Sequence, residues 1–358
     1  MPHTAADRAG PRASCGPARS HTRSGTLTAV PDAPLETLPS AALTEAPILA
    51  HVVRGGFVES VHRGTVVVTA PDGTVEWAVG DPTGAVFARS ANKPLQASAM
   101  VRAGLDLPDA ELALACASHS GEPFHREAAT RILARAGLTA ADLQNTPDYP
   151  IDEDERVAWI RAGQAKSPLT QNCSGKHAAM LATCVVSGWD TAAYRHPEHP
   201  LQRAITDTIV ELSGEPVVAV TVDGCGAPLH AYALAGLARA FGRIATAAPG
   251  SAEARVTAAI RAEPAYLGGT HRQVTHLVRE ADGLIAKDGA ESVYAVGLPE
   301  GRGVAVKIAD GYPRAKAVVL AAVLRRLGVD APGAIDDLAT APVLGHGDPV
   351  GAIVAVGL

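Results

Sequence analysis

Aromatic side chains are scarce, at 4% of the 358 residues. Any core must therefore be built mainly from Ala, Val and Leu, within the 47% of residues that are hydrophobic. Excess positive charge is missing as well. A formal charge of −6 argues against nucleic acid or an anionic membrane surface as the main partner. No apolar run reaches membrane-spanning length, and the N-terminus lacks an apolar secretory core. Cysteines are few and irregularly spaced: Cys15, Cys116, Cys173, Cys184 and Cys225. An odd number with no Cys-x-x-Cys pair does not read as a disulfide framework in a chain of this size. There is no internal repeat. These absences point to a reducing, cytoplasmic setting.

The chain is long enough for one large domain or two lobes. Residues 1–45 are rich in Ala, Pro, Ser, Thr and Arg without apolar periodicity, so a disordered tail is expected there, with Cys15 incidental to it. Residues 46–358 are expected to form a single catalytic domain with two lobes. Strands are predicted over 48–54, 64–70 and 74–79, with Pro71-Asp72-Gly73 as a hairpin turn between the last two. Val86-Phe87 reads as a short strand. Helical spacing follows over 94–101, 108–116, 122–136, 174–186, 201–212, 230–241 and 252–261, with 147–154 as a loop and 217–222 as a strand. The last third returns to strands at 293–298 and 303–308, then a helix at 315–327. Strands at both ends with a helical middle imply an α+β (α/β sandwich) fold, its sheet built from both termini and a helical lobe inserted between.

Arg89-Ser90-Ala91-Asn92-Lys93-Pro94 places a serine and a lysine three positions apart. On a helical turn the two share a face. A serine hydroxyl is a weak nucleophile until a base takes its proton. A lysine serves as that base only if burial or a second cation lowers its pKa. The bland alternative is a capping serine beside a solvated lysine. Ala117-Ser118-His119-Ser120-Gly121-Glu122 adds two hydroxyls and an imidazole, either as a polar capping loop or as a second wall facing Ser90. Lys287-Asp288-Gly289 reads either as a surface turn or as a lysine laid beside the site on a strand whose glycine admits substrate. Lys307 is the rival for the second lysine.

Gln171-Asn172-Cys173-Ser174-Gly175-Lys176-His177 and Asp223-Gly224-Cys225-Gly226 put two cysteines on separate loops. They are two buried, reduced thiols or two ligands of Zn²⁺, with Lys176, His177, Asp223 or water completing the set.

Ser-x-x-Lys, Ser-x-Ser and Lys-x-Gly come in the chain order of the serine β-lactamase and glutaminase superfamily. More specifically, Ser-Ala-Asn-Lys-Pro-Leu-Gln (90–96), Cys-Ala-Ser-His-Ser-Gly-Glu (116–122), Asn-Cys-Ser-Gly-Lys-His (172–177) and Asp-Gly-Cys-Gly-Ala-Pro (223–228) resemble the thermolabile, Rhizobium etli-type L-asparaginases, the asparaginase II family. So do the early Arg54-Gly-Gly-Phe-Val-Glu-Ser run and Ala290-Glu291. The resemblance spans about residues 48–325. It implies a serine β-lactamase/glutaminase-like fold, a homodimer and hydrolysis of L-asparagine to aspartate and ammonia. It implies a nucleophilic Ser90 with Lys93, a second pair of Ser118 with Lys287, and Zn²⁺ held by Cys173, Lys176 and Cys225. This sequence departs from the superfamily pattern at Ser120, where Asn is usual, and at Asp288, where Ser or Thr is usual. Ser292 stands where glycine is expected.

The chemistry these residues suggest is acyl transfer to water. The α-carboxylate of the substrate needs a cation and its α-amine a carboxylate. Arg54, Arg89, Glu59, Glu122 and Asp223 are candidates, with His119 and Ser120 as further lining. The rivals are another β-lactamase-fold acylase or amidase, a cysteine amidase using Cys173 and His177, and a non-catalytic zinc-binding protein.

Overall fold

A computed structural model describes residues 41–358. The expected tail lies outside the described residues, Cys15 included, except that Ala41–Thr44 forms a short helix.

Eleven strands are present among the described residues: β1 Ile48–Arg54, β2 Phe57–Thr69, β3 Val75–Val79, β4 Ala85–Phe87, β5 Ala219–Val222, β6 Pro228–Ala233, β7 Ile285–Asp288, β8 Val293–Gly297, β9 Gly303–Ile308, β10 Pro342–Gly345 and β11 Asp348–Ala355. The main sheet runs β10-β11-β1-β2-β9-β8-β7, with β3 also paired to β2. Every pairing is antiparallel. Strands from the two ends of the described chain meet where β1 pairs with β11, Ala50 opposite Ala355. The fold is thus α+β, its sheet built from both ends of the chain as the alternation of elements implies.

All five residues of Val-Tyr-Ala-Val-Gly in β8 and all six of Gly-Val-Ala-Val-Lys-Ile in β9 are buried. A strand buried at every position must be covered on both faces. The Leu234–Ala245 helix packs on β2, β8 and β9, and the Lys316–Arg326 helix packs on β1, β8, β9 and β11. The interior is aliphatic, as the scarcity of aromatics requires: Leu, Val, Ile and Ala dominate it, with Phe241 and Tyr294 among its few rings.

Most expected elements form. Pro71-Asp72-Gly73 makes its hairpin, with Asp72 Oδ1 accepting from the Thr74 backbone N–H at 2.8 Å and Gly73 at φ 88. Pro94 lies in the first turn of the Lys93–Arg102 helix, where a missing N–H costs nothing. Two expectations are corrected. The strand expected from Gly64 begins at Phe57, because β2 pairs along most of β1. The helix expected over 230–241 is instead β6 followed by the Leu234–Ala245 helix. Burial of all but one residue of β6, between β4 and β5, overrides the helical spacing. The inserted lobe therefore carries its own three-stranded sheet, β4-β6-β5.

Candidate active site

Ser90 lies in a short 3₁₀ turn, Arg89–Asn92, that runs straight into the Lys93–Arg102 helix. The Lys93 backbone N–H donates to the Ser90 carbonyl. This i to i+3 bond puts both side chains on one face of the turn. Ser90 is partly exposed, whereas Lys93 is 1% exposed. The lysine ammonium donates to the Ala117 carbonyl, to Ser118 Oγ at 3.1 Å and to Cys173 Sγ at 3.1 Å. The Lys93 ammonium is thus surrounded by separate stretches of the chain.

Lys287 enters from β7 and is fully buried. Burial lowers its pKa to about 8; the nearby Asp288 carboxylate works against that shift and the Lys93 charge adds to it. Lys287 Nζ bonds to Asp288 Oδ1 at 2.8 Å. Asp288 also pairs with Arg272 at 2.8 Å and lies 3.8 Å from Lys316. Burial opposes ionisation of Asp288, but these cations, Lys287 first, hold it well below the carboxylate range. Sharing one carboxylate among three cations leaves Lys287 with a depressed pKa despite its acidic neighbour. Lys307, by contrast, donates to the Glu291 carbonyl and faces Glu291, Asp310 and Arg89. Of the two rival lysines, Lys287 is the one whose charge is felt at Lys93.

Gly289 closes this side. A Cβ there would lie 3.2 Å from Ala91 N and 3.4 Å from Ser90 N. The bare backbone after β7 is pressed against the turn that carries Ser90, which only glycine permits without displacement.

The backbone around Ser90 is strained. Among the described residues four non-glycines adopt positive φ, and three of them are Arg89 at 50°, Glu291 at 54° and Ser292 at 53°. Each such residue costs ~1–3 kcal/mol, and strain of this kind concentrates at functional sites. Glu291 and Ser292 are the two central residues of the β7–β8 hairpin turn, closed by the Val293 N–H to the Ala290 carbonyl. Arg89 Nη2 bonds to Asp223 Oδ1 at 2.8 Å, and its Nη1 lies 3.7 Å from Glu291 Oε1. Asp223 stays ionised below its usual range: burial opposes this, and Lys176 and Arg89 outweigh it.

The two cysteine loops converge. Cys173 and Cys225 are both buried and hydrogen-bonded to each other, and Lys176 Nζ lies 3.2 Å from Cys225 Sγ. That hydrogen bond, with Lys176 beside it, draws the Cys225 pKa down to about 5, while it and burial push Cys173 up to about 12. Burial works against the Lys176 charge, yet Cys225, Cys173 and Asp223 together raise its pKa. Lys176 reaches this point because Gly175 lets the Ser174–Ser187 helix touch the Asp109–Ala115 helix; a Cβ at 175 would overlap Leu114. Two thiols and an amine on one point are a donor set that suits Zn²⁺, provided the lysine gives up its proton. His177 turns the other way, its Nδ1 2.7 Å from Tyr194 Oη, and burial keeps it neutral. It is therefore not paired with Cys173 as a cysteine amidase would require.

Other expected lining residues are placed elsewhere. Arg54 is exposed, paired with Glu59 at 3.1 Å, and bonded to the Leu344 carbonyl. Its strand partner Phe57 is eight residues along β2 from Thr65, which opposes Lys307. At ~3.3 Å per residue this is roughly 26 Å, so the structure does not bring Arg54 to Ser90. Glu122 clamps the Thr270 N–H at 2.9 Å and the Thr270 hydroxyl at 2.6 Å. His119 is buried, bonded to Ser174 Oγ at 2.8 Å and stacked on His125 at 5.0 Å. Ser120 is buried against Gly269. Ser118 Oγ meets Lys93 rather than Lys287. Sequence reasoning named Glu291 only as part of the resemblance, without a site role, and passed over Arg272; a non-glycine pair at a hairpin turn between two strands was the signal available for the first.

The family described as L-asparaginase II matches residues 50–355, nearly all of the described chain. The chain belongs to the L-asparaginase II family. No curated protein matches it. Among solved structures, a β-lactamase from Mycobacterium bovis has 16% identity over 80% of this chain and 97% of that one, with a TM-score of 0.41. Mglu in its native form has 16% identity over 81% and 70%, with a TM-score of 0.36. Likenesses this weak bear no argument about chemistry. Membership of the L-asparaginase II family makes the protein an asparaginase-type amidohydrolase acting on a small molecule.

Proposed function

We propose that the protein hydrolyses L-asparagine to L-aspartate and ammonia, with Ser90 as nucleophile. The observation that carries this reading is the convergence of two buried lysines, Lys93 and Lys287, beside a partly exposed serine in a chain of the L-asparaginase II family.

In this reading Lys93 accepts the Ser90 proton as Oγ bonds to the side-chain amide carbon. The Ser90 backbone N–H, against the bare Gly289, holds the oxyanion. The proton passes from Lys93 through Ser118 to the amide nitrogen, the C–N bond breaks and ammonia leaves. Water then adds to the β-aspartyl ester and gives its proton to the same amine, which returns it to Ser90 Oγ as aspartate departs. Arg89 receives the α-carboxylate. Zn²⁺ would be held by Cys173, Lys176 and Cys225, where it supplies a fixed positive charge and a Lewis acid at the edge of the site. We assign the protein to the cytoplasm from its cysteine pattern and as a homodimer from its family resemblance.

Ammonia release from L-asparagine and L-glutamine, by wild type and by Ser90→Ala, tests the reading. Release from asparagine that vanishes in the variant is expected. Near-wild-type release by Ser90→Ala would overturn it, and so would hydrolysis of a β-lactam chromogen in place of asparagine.

A further inference from the structure

We infer that Glu291 recognises the α-ammonium group of the substrate and so restricts the site to α-amino acids; this rests on the amidohydrolase reading above. The first argument is local backbone chemistry. With positive φ at both central positions, Glu291-Ser292 forms a type I′ hairpin turn, closed by Val293 N–H to Ala290 O. Such turns favour Asn-Gly and related pairs. A glutamate and a serine there oppose local preference. Ser292 has a structural reason, since its buried hydroxyl donates to the Tyr312 carbonyl at 2.5 Å. The Glu291 side chain has none of that kind. Its carboxylate is 60% exposed and its closest cation is Arg89 at 3.7 Å.

The second argument is the charge pattern around Arg89. One guanidinium faces two carboxylates, Asp223 at 2.8 Å and Glu291 at 3.7 Å. An incoming α-carboxylate needs room on Arg89. It displaces the longer contact, not the shorter one to Asp223, which is also bonded to Arg89 Nε at 3.0 Å. Glu291 is then released beside the bound carboxylate, and the α-ammonium of the same molecule is only two covalent bonds from that carboxyl carbon. The backbone carbonyl of Glu291 is held by Lys307, which fixes the turn while the side chain changes partner. Gly289, two residues earlier on the same hairpin, abuts Ser90, so this turn and the nucleophile are one assembly.

The test uses Glu291→Asn, which suits the turn, and Glu291→Gln, which keeps the length. Kinetics on L-asparagine are compared with kinetics on succinamate, which lacks the α-amine. We expect KM for L-asparagine to rise at least tenfold in both variants, kcat/KM for succinamate to change less than twofold, and the melting temperature of Glu291→Asn to equal or exceed wild type. Equal losses on both substrates, or no loss on L-asparagine, would overturn the assignment. If wild type releases no ammonia from either, the amidohydrolase reading fails separately. Glu291 is then judged by calorimetric binding of L-aspartate against succinate: a preference for L-aspartate that disappears in Glu291→Gln supports it, and an unchanged or absent preference overturns it.

Discussion

Lys93 donates a hydrogen bond to Cys173 Sγ at 3.1 Å, so the lysine three residues after Ser90 touches the thiol pair directly. Any change in the charge of that thiol pair is felt at Lys93 through a single contact. Catalysis and metal content are accordingly expected to be coupled.

Replacing Cys225 by Ser removes the thiol drawn to about 5. We expect zinc measured by elemental analysis to fall from about one per chain to near zero, with ammonia release falling with it. Chelator-treated wild type should lose activity and regain it on adding Zn²⁺. Wild-type protein purified without metal yet fully active would refute the coupling.

The depressed pKa of Lys287 fixes the sign of a pH effect. Its free value is 10.5 and its value in the fold about 8, so the neutral amine becomes the majority form above about pH 8. Because the Lys287 charge is lost above that pH, kcat/KM is expected to fall with an apparent pKa near 8, and Lys287→Met should erase that limb. Stability follows the same linkage. The unfolded chain binds the extra proton between about 8 and 10.5, so stability should rise with pH across that window, and Lys287→Met should flatten the rise in denaturant titrations.

Gly289→Ala places a methyl 3.2 Å from Ala88 O and Ala91 N. The turn that carries Ser90 has to shift by a few tenths of an ångström. Displacement of a positioned group is costly to catalysis, and a loss of ~10- to 100-fold in kcat is expected with the melting temperature little changed. An active Gly289→Ala would show that the contact has no catalytic consequence.

Gly175→Ala tests packing instead. The added methyl overlaps Leu114, whose backbone cannot yield. Overpacking of this kind costs ~1–3 kcal/mol, read as a shifted midpoint in chemical denaturation. Because Lys176 is the next residue, zinc content should fall too.

Much of this was legible from the residue pattern. The Pro71-Asp72-Gly73 turn and the Lys93–Arg102 helix follow from local chemistry, as do the strands at Val293 and Gly303. The grouping of Ser90, Lys93, Ser118 and Lys287 comes from the family resemblance, and the structure buries Lys93 and Lys287 and bonds Lys93 to Ser118. What remained hidden depends on contacts between distant stretches. The β6 segment spaces its apolar residues as a helix does, and only its neighbours β4 and β5 make it a strand. The resemblance pairs Ser118 with Lys287, but the 117–121 loop, packed against Leu267 and Gly268, turns the Ser118 hydroxyl to Lys93 instead. Asp288 stands where Ser or Thr is usual and pairs with Lys287. Arg272 and Lys316, on other elements, share it, and no spacing rule could reveal that. Arg54 carries a residue type that suits a carboxylate, but its position along β1 puts it far from the nucleophile.

The pairing of β1 with β11 has a consequence for how the protein is made. Ala50 leaves the ribosome early and waits for Ala355 before its strand gains a second neighbour. Ser90 waits in the same way for Lys287 and the Glu291 turn. Contacts this remote in sequence form slowly, and an unpaired strand edge invites association with other chains. The nascent chain therefore holds an open β edge and an unfinished nucleophile together through most of synthesis. In the proposed reading, turnover can begin only once β7 and the Glu291 turn, late in the chain, have reached Ser90.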